Sequence, residues 1–349
     1  MSKLLNQYNK ERVWNYWQKM NYATPDQLAG IVQETFHRDV NWNGSNPINH
    51  LDGVDNIISA FWEPFRKSFP DVKRKADILM GGLNGDEEWV SGVGYFTGTF
   101  VQDWLGIPAT CKKTNIHFGQ FYLMREGKIA EAYLILDILA VIRQAGFQLL
   151  PPAQGMEGGK IPGPTAGDGV LLTEQDDMET RKTRQLVSAM GEGMENYVRD
   201  RDGGNLRSME QEHYWHPQMH WYGPSGIGAC LSLREFEDFH QRPWLEGFGD
   251  RNVWKTSGGR YVGSIYEGAY GCGGVWDTPF SRHHGSYLGI PATGKMITIR
   301  DFDWYRREGD CLMQNWVPID MIDLVLQMGV DVFELLQHQL NQPGRRKSV

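Results

Sequence analysis

The chain has 349 residues, and its 43 acidic side chains outnumber its 35 Lys and Arg, which gives a formal net charge of −8 at pH 7. A nucleic-acid partner is not expected, because such a partner needs a basic protein surface. No stretch approaches the roughly 18 apolar residues of a membrane-spanning helix, and residues 1–22 lack the apolar core of a signal peptide. The sequence therefore predicts a cytoplasmic protein with no membrane partner.

Cysteine usage agrees with that location. The four cysteines form no CxxC pair and occupy no equivalent positions in the repeat described below: Cys111, Cys230, Cys272 and Cys311. Such scattered cysteines are typical of free thiols in a reducing compartment. The length suits about two ordinary domains, each large enough to bury its own core.

A repeated hexapeptide divides the chain. Leu-Gly-Ile-Pro-Ala-Thr occurs at residues 105–110 and again at 288–293, and the same offset of 183 places Asp137 over Asp320. An offset of 179 aligns the earlier segments, where Trp42 matches Trp221 and Pro64 matches Pro243. Two consistent offsets indicate a duplicated unit. The hexapeptide itself is expected to be a structural turn that leads into a strand.

In the first copy, Thr24 and Gln27 flank Pro25 in the pattern of a helix start, with Thr24 as the N-cap. An apolar helix follows over 54–65, bent or ended near Pro64. The sequence then changes to short runs separated by turns, which predicts a strongly bent antiparallel sheet of about four strands over 77–81, 88–94, 114–124 and 129–136. A short helix over 137–145 closes the unit.

The second copy repeats this plan after a segment rich in Pro and Gly at 151–169, which is typical of a linker. Its predicted helices fall within 178–201, 205–214 and 233–248, its strands within 253–313, and its closing element within 316–329. We therefore expect a domain over 1–150, a linker over 151–175, a second domain over 176–341 and a basic tail over 342–349. Each domain is predicted to be an α+β unit, with helices packed on the concave face of the sheet.

Both copies place one carboxylate at the junction of the last strand and the closing helix. Alternation along the strand puts Tyr133 and Asp137 on one face in the first copy, and Trp316 and Asp320 on one face in the second. If that face lines the hollow of the sheet, desolvation would raise the pKa of each carboxyl toward that of a general base. The alternative is a helix N-cap, for which Asp is a favoured residue.

Histidines are concentrated in the second copy. His213, His216 and His220 have metal-ligand spacing, but Pro217 breaks any helix that would align them, so no metal site is predicted. His216, His220 and His240 are candidate pocket residues, with core or surface positions as the alternative. Trp42 and Trp221 are either aromatic cavity walls or core residues.

The string GSYLGIPATGKMITIRDFDWYRREG, followed by NWVPIDMIDLVLQMGVD, resembles the SnoaL-like polyketide cyclase family of the nuclear transport factor 2-like superfamily. The first copy has the related strings GTFVQDWLGIPATCKKTNIHFGQFYLMREGK and ILDILAVIRQAG, and the resemblance covers roughly 23–146 and 205–329. It implies two tandem cone-shaped α+β barrels, each a strongly curved antiparallel sheet packed against N-terminal helices.

In that family, an aspartate at the start of the closing element is the acid/base for intramolecular aldol closure, without a metal or an organic cofactor. The resemblance carries this role to Asp137 and Asp320. His117 and its repeat partner Arg300 are candidate donors to the developing enolate, or else exposed strand residues. Because a neutral imidazole and a guanidinium cannot serve one mechanism identically, the two pockets are expected to differ.

The sequence thus predicts a cofactor-independent cyclase, lyase or isomerase that acts on a small hydrophobic carbonyl compound, with the second domain as the better-equipped catalyst. A hydratase, dehydratase or epoxide hydrolase on the same fold is an alternative, as is a non-catalytic ligand-binding module. The chain carries no P-loop, no GxSxG nucleophile motif and no GxGxxG in a dinucleotide-binding setting. We also expect the two domains to pair with each other as an internal pseudo-dimer, and the chain to form a homodimer.

Overall fold

The structure is a computed structural model that describes residues 3–197, 205–249 and 261–342. Its first half comprises α1 (Lys3–Tyr22), α2 (Pro25–Thr35), β1 (Phe36–Gly44), β2 (His50–Asp52), α3 (Gly53–Asn56), a π-helical turn (Ile57–Trp62), α4 (Glu63–Ser68), β3 (Lys73–Asn84), β4 (Glu87–Thr99), β5 (Lys113–Arg125), β6 (Lys128–Leu136) and α5 (Ile138–Gln144). The predicted N-terminus of α2 is confirmed, and the Thr24 backbone N–H donates to Gln27 Oε1 over 3.1 Å.

The second half repeats this order. It comprises α6 (Asp177–Met194), two 3-10 turns (Leu206–Met209 and Gln211–His213), β7 (Trp215–Tyr222), β8 (Ala229–Cys230), α7 (Leu233–Phe236), a π-helical turn (Glu237–Gln241), α8 (Arg242–Phe248), β9 (Tyr261–Glu267), β10 (Tyr270–Arg282), β11 (Met296–Glu308), β12 (Cys311–Trp316), α9 (Met321–Gln327) and α10 (Val332–Leu340). The helix predicted over 205–214 is wrong, since two 3-10 turns occupy it. Residues 253–260 of the predicted strand region lie outside the described residues.

Each half contains a six-stranded sheet with the same strand order, β2-β1-β6-β5-β4-β3 in the first and β8-β7-β12-β11-β10-β9 in the second. The duplicated α+β fold is therefore confirmed, but the sheets are mixed rather than antiparallel. Strand β1 runs parallel to β6, and β7 runs parallel to β12. The sequence did not reveal β1 and β7 because their partly polar residues lack clean alternation.

The repeated prolines have a shared structural role. Pro64 and Pro243 each lie in the first turn of the helix that follows a π-helical turn. Proline has no N–H to donate, so it is tolerated in a first turn, and a single π-helical turn often accommodates such a change of hydrogen-bond register. The predicted apolar helices therefore continue past the prolines to Ser68 and Phe248.

The repeated hexapeptide is a tight turn, as expected. In the first copy, Leu105 and Gly106 both have positive φ, at 54° and 76°, and Leu288 and Gly289 repeat them at 52° and 76°. Two successive left-handed residues make the turn, and a glycine at the second position adopts that conformation without strain.

The outer faces of the two sheets pack against each other. The ring of Phe121 on β5 lies 5.1 Å from the ring of Trp304 on β11, and Trp304 Nε1 donates to Ser91 Oγ over 2.9 Å. Tyr133 and Trp316 belong to the same buried cluster. The prediction that their face lines the hollow is therefore wrong: it is the convex face, which is apolar because the other domain covers it.

The segment between the domains, 145–176, follows the surface of both. Leu79 on β3 bridges to Val170, and Met156 bridges to Ala229 on β8. The predicted free thiols are confirmed, since all four cysteines lie within the described residues and none forms a disulfide. Across the described residues, no helix is both long and apolar enough to cross a membrane.

Candidate functional site

The second domain encloses a cavity of about 610 Å³ between its helices and the inner face of its sheet. Helix α6 and the segment from α7 to α8 form one side, and strands β10, β11 and β12 form the other. The walls are mainly aromatic, and they include Trp215, Trp221, Phe236, Trp244 and Phe280. A volume of this size matches a drug-sized or polycyclic small molecule.

Two carboxyl groups open into this cavity from one strand. Asp301 and Asp303 alternate with Phe302 and Trp304 on β11, so that the acids face inward while the aromatic rings face the other domain. Residues two apart on a strand are about 7 Å apart at Cα. Asn315 Nδ2 donates to Asp303 Oδ1 over 3.1 Å.

Burial shifts the proton equilibria of this pair. It raises the pKa of Asp303 to about 6, although hydrogen bonds from Asn315 and Tyr305 act in the opposite direction. The pKa of Asp301 lies well above its usual range, chiefly through burial and secondly through the Asp303 charge. Among the described residues, none donates a hydrogen bond to the Asp301 carboxyl. The two groups therefore titrate as a pair that favours one bound proton near neutrality.

His240 and Trp221 both line this cavity, and their role as binding residues remains a prediction. Their rings stack with centroids 4.0 Å apart and an interplanar angle of 17°. His240 also lies 5.4 Å from the Phe236 ring and 5.7 Å from the Trp244 ring. The imidazole is thus held within an aromatic box at the cavity surface.

The first domain has no such pair of acids in its hollow. The repeat places Phe118 where the second domain has Asp301, Gln120 where it has Asp303, and Phe61 where it has His240. The ring of Trp17 from α1 packs on Phe118 at 5.6 Å. Trp42, a candidate cavity wall, packs on Phe61 at 5.0 Å within the core. The two hollows have therefore diverged at their inward-facing positions.

The paired aspartates at the closing helices are N-caps in this structure. Asp137 Oδ1 accepts from the Ala140 N–H over 2.9 Å, and Asp320 Oδ1 accepts from the Asp323 N–H over 3.3 Å. The second oxygen of each reaches the other domain: Asp137 Oδ2 accepts from the Ser225 N–H over 2.9 Å, and Asp320 Oδ2 accepts from the Asn46 N–H over 2.8 Å.

Both caps are buried, and burial raises the pKa of each, that of Asp320 to about 7. Neither Asp137 nor Asp320 lines the 610 Å³ cavity. Asp137 instead lines a smaller cleft of about 240 Å³ between the domains. The N-cap alternative is observed at both positions, and an acid/base role for them remains a prediction.

His117 and Arg300 also lie at the domain junction rather than in the hollow. His117 lines the 240 Å³ cleft, and burial lowers its pKa to about 3, so the ring is neutral at physiological pH. Arg300 Nη1 donates to Asn49 Oδ1 of the first domain over 2.9 Å and to Asp320 Oδ2 over 3.3 Å. The guanidinium thus joins the domains and offsets the charge of one cap.

The other predicted binding residues lie elsewhere. His216 accepts from the Gln218 N–H over 3.1 Å and is half-buried on β7. His220 hydrogen-bonds to the Tyr222 hydroxyl over 3.0 Å, and Trp316 Nε1 donates to the Pro162 carbonyl over 2.8 Å. Within the described ranges, no group of three or more His, Cys, Asp or Glu is placed to hold a metal ion.

Sequence reasoning missed Asp301 and Asp303. Alternating charges and aromatics in IRDFDWY are typical of a half-exposed strand, on which acids face solvent. The repeat offset did contain the signal, since it pairs these acids with Phe118 and Gln120. The neighbouring pair, His117 and Arg300, points to the opposite face of the sheet.

These features define a mixed-sheet α+β fold, duplicated within one chain. A family model described as SnoaL-like polyketide cyclase matches residues 14–145, which lie in the first domain. Comparison with curated protein sequences gives no match.

Solved structures with similarity to the chain each align with a single domain. A proposed SnoaL-like polyketide cyclase from Jannaschia sp. CCS1 has 18% identity, covers 41% of this chain and 94% of its own, and has a TM-score of 0.35. IdmH, a proposed polyketide cyclase from Streptomyces antibioticus, has 17% identity, coverages of 40% and 99%, and a TM-score of 0.33. AclR, a proposed hydroxylase from Streptomyces galilaeus, has 19% identity, coverages of 42% and 87%, and a TM-score of 0.34.

Proposed function

We propose that the second domain is a cofactor-independent acid/base enzyme, an aldol-type cyclase, lyase or isomerase, that acts on a hydrophobic carbonyl compound. The observation that carries the proposal is the pair of half-buried carboxyls, Asp301 and Asp303, on the inner face of an aromatic cavity. The family match of the first domain supports the same class of chemistry. The first domain has Phe118 and Gln120 at these two positions, so the pair of acids is specific to the second domain.

The environments of the two acids assign their roles. Asp303 accepts hydrogen bonds from Asn315 and Tyr305, which favour its ionised form, so it is the base that removes a proton from the carbon next to the carbonyl. Asp301 has burial and a neighbouring charge against ionisation, so it is the acid that protonates the carbonyl oxygen. In an aldol closure, the enol carbon attacks a second carbonyl of the same substrate and forms the new C–C bond. The enol hydroxyl returns its proton to Asp301, and Asp303 gives the proton that it took to the new alkoxide, so both carboxyls are restored.

Proton exchange tests this assignment without knowledge of the natural substrate. With β-tetralone as a hydrophobic probe ketone, we expect the protein to catalyse exchange of the α-hydrogens with deuterium from solvent, measured by NMR. Asp303→Asn should lower the exchange rate by about 100-fold, because a positioned base contributes on the order of 10²–10⁴.

Glu308→Gln is the matched control, since Glu308 is an exposed acid at the end of the same strand. Exchange at the wild-type rate in a variant that lacks both Asp301 and Asp303 carboxyls would contradict the proposal. Catalysed exchange should also fall below about pH 6, where Asp303 becomes protonated. Ligand binding with no exchange of any probe ketone would favour the non-catalytic module.

A hydratase or epoxide hydrolase is a second candidate, favoured by the presence of His240 in the same cavity as the acids. An imidazole beside a carboxylate can activate water. His240→Phe, which restores the residue of the first domain, separates the two: α-proton exchange should persist, whereas a hydration or epoxide-opening activity should be lost.

A further inference from the structure

The hollow of the first domain already contains a cation, which the chain itself supplies. The guanidinium carbon of Arg74 lies 4.5 Å from the Trp17 ring centroid, 4.6 Å from that of Phe96 and 5.0 Å from that of Phe118. Arg74 also donates to the Tyr122 hydroxyl over 3.4 Å. The aromatic hollow of this fold thus stabilises a buried positive charge by cation–π contacts.

The hollow of the second domain keeps the hydroxyl that contacts the cation in the first domain and adds acidic groups. Tyr305 stands at the position of Tyr122, whose hydroxyl accepts from Arg74, and aromatic rings such as that of Trp221 line the cavity. At the position of Phe118, whose ring contacts the guanidinium in the first domain, the second domain has the Asp301 carboxyl. Unlike the first hollow, this cavity is not filled by side chains, and its volume is about 610 Å³. A third acid, Glu195, also lines it.

Three acids line this cavity: Glu195, Asp301 and Asp303. The proposed reaction moves one negative charge between Asp303 and Asp301, so a carboxylate is present in this poorly solvated site at every stage, and a nearby positive charge stabilises it. Asp301 in its protonated form and the Tyr305 hydroxyl can donate hydrogen bonds, but they supply no net charge.

We infer that the substrate is an aromatic or polycyclic carbonyl compound that carries a protonated amine. Its ammonium lies against the aromatic wall near Trp221 and pairs with the acids of β11, which compensates the carboxylate charge that this pair carries throughout the reaction. The same acids and aromatic rings disfavour a substrate that carries a free carboxylate or phosphate. This inference rests on the proposed function for its chemistry, but its binding step can be tested alone.

Three probes of one shape measure the charge preference: naphthylmethylammonium, naphthylmethanol and naphthoate. We expect calorimetry at pH 7 to show that the cation binds at least about tenfold more tightly than the alcohol, with the carboxylate weakest, since desolvated cation–π contacts and a neighbouring carboxylate both favour the cation. Added salt should weaken binding of the cation but not of the alcohol.

Two variants test whether the acids of β11 cause the preference for the cation. Asp303→Gln, which carries the residue of the first domain, should reduce the preference for the cation because it removes the ionised carboxyl. Asp301→Asn combined with Asp303→Gln should remove most of the preference. Glu308→Gln should leave it unchanged. Thermal unfolding of each variant shows that it is folded, and binding of the alcohol reports that the cavity is intact.

Equal affinity for the cation and the alcohol in the wild type would overturn the inference, as would a preference that the double substitution leaves undiminished. The proposed function has a separate outcome. Exchange of β-tetralone with no preference for cations would retain the acid/base enzyme and remove the amine. A clear preference for cations with no exchange of any ketone would retain the cation site and remove the enzyme.

Discussion

Asp320 shows how one carboxylate can be held in a buried position. It caps α9, accepts an N–H from the first domain and lies beside Arg300, yet burial still raises its pKa to about 7. The local sequence correctly indicated a cap or a base with an elevated pKa. It could not show the hydrogen bond that Asp320 accepts from the Asn46 N–H, because Asn46 is 274 residues away in the chain.

The raised pKa of Asp320 makes stability depend on pH. The folded chain binds this proton more tightly than the unfolded chain, so the contribution is fully present below about pH 4 and is lost as the pH rises through about 7. We expect the free energy of unfolding of the wild type, relative to that of Asp320→Asn, to fall between pH 5 and pH 8. Urea unfolding at the two pH values measures it, with Glu308→Gln as the control for one lost charge. Parallel pH profiles of wild type and Asp320→Asn would contradict the expectation.

At the scale of elements, local patterns predicted most helices and strands of both repeats, because capping residues, alternation and turn glycines are encoded in neighbouring residues. Local patterns failed to predict strands whose pairing partners lie far away in the sequence. Strand β1 lies beside β6, which is about 90 residues further along the chain, and no local signal marks a parallel pairing. They also failed for the faces of β11, because both faces are buried and alternation no longer separates core from solvent.

The repeated turn gives a test at this scale. Gly106 and Gly289 both have φ of 76°, which costs any other residue about 1 kcal/mol or more. We expect Gly106→Ala and Gly289→Ala to lower the free energy of unfolding by about that amount. Gly30 is the matched control: it lies inside α2 and an added Cβ would contact nothing within 4 Å, so Gly30→Ala should be neutral or stabilise by up to about 1 kcal/mol. Equal losses at all three glycines would contradict a conformational cause.

At the scale of the whole molecule, the two sheets share one buried apolar face. Trp304 lies at its centre, fully buried between the rings of Phe121 and Phe302. The close approach depends on Gly119, where an added Cβ would lie 2.8 Å from Pro318 Cγ. A face so completely covered resembles the interior of a single core, and the sequence alone could suggest this pairing only by family resemblance.

Truncation of Trp304 therefore tests whether the halves are stable separately. We expect Trp304→Ala to cost about 3–5 kcal/mol, as large-to-small changes in a core do, and to leave a single unfolding transition. Leu4→Ala, at an exposed position, should change stability by less than about 0.5 kcal/mol. Differential scanning calorimetry distinguishes the outcomes, and two separated transitions in the wild type would show that the halves unfold independently.

The crossed contacts from Asp137 to Ser225 and from Asp320 to Asn46 give the molecule an approximate two-fold arrangement within a single polypeptide. In an assembly of two identical chains, every substitution is made twice, and a change that suits one hollow alters the other as well. One continuous chain removes that coupling. In this chain the first hollow is filled by Trp17 and Arg74, while the second is open and carries Asp301 and Asp303, and the filled half is a permanent, covalently attached partner of the open one.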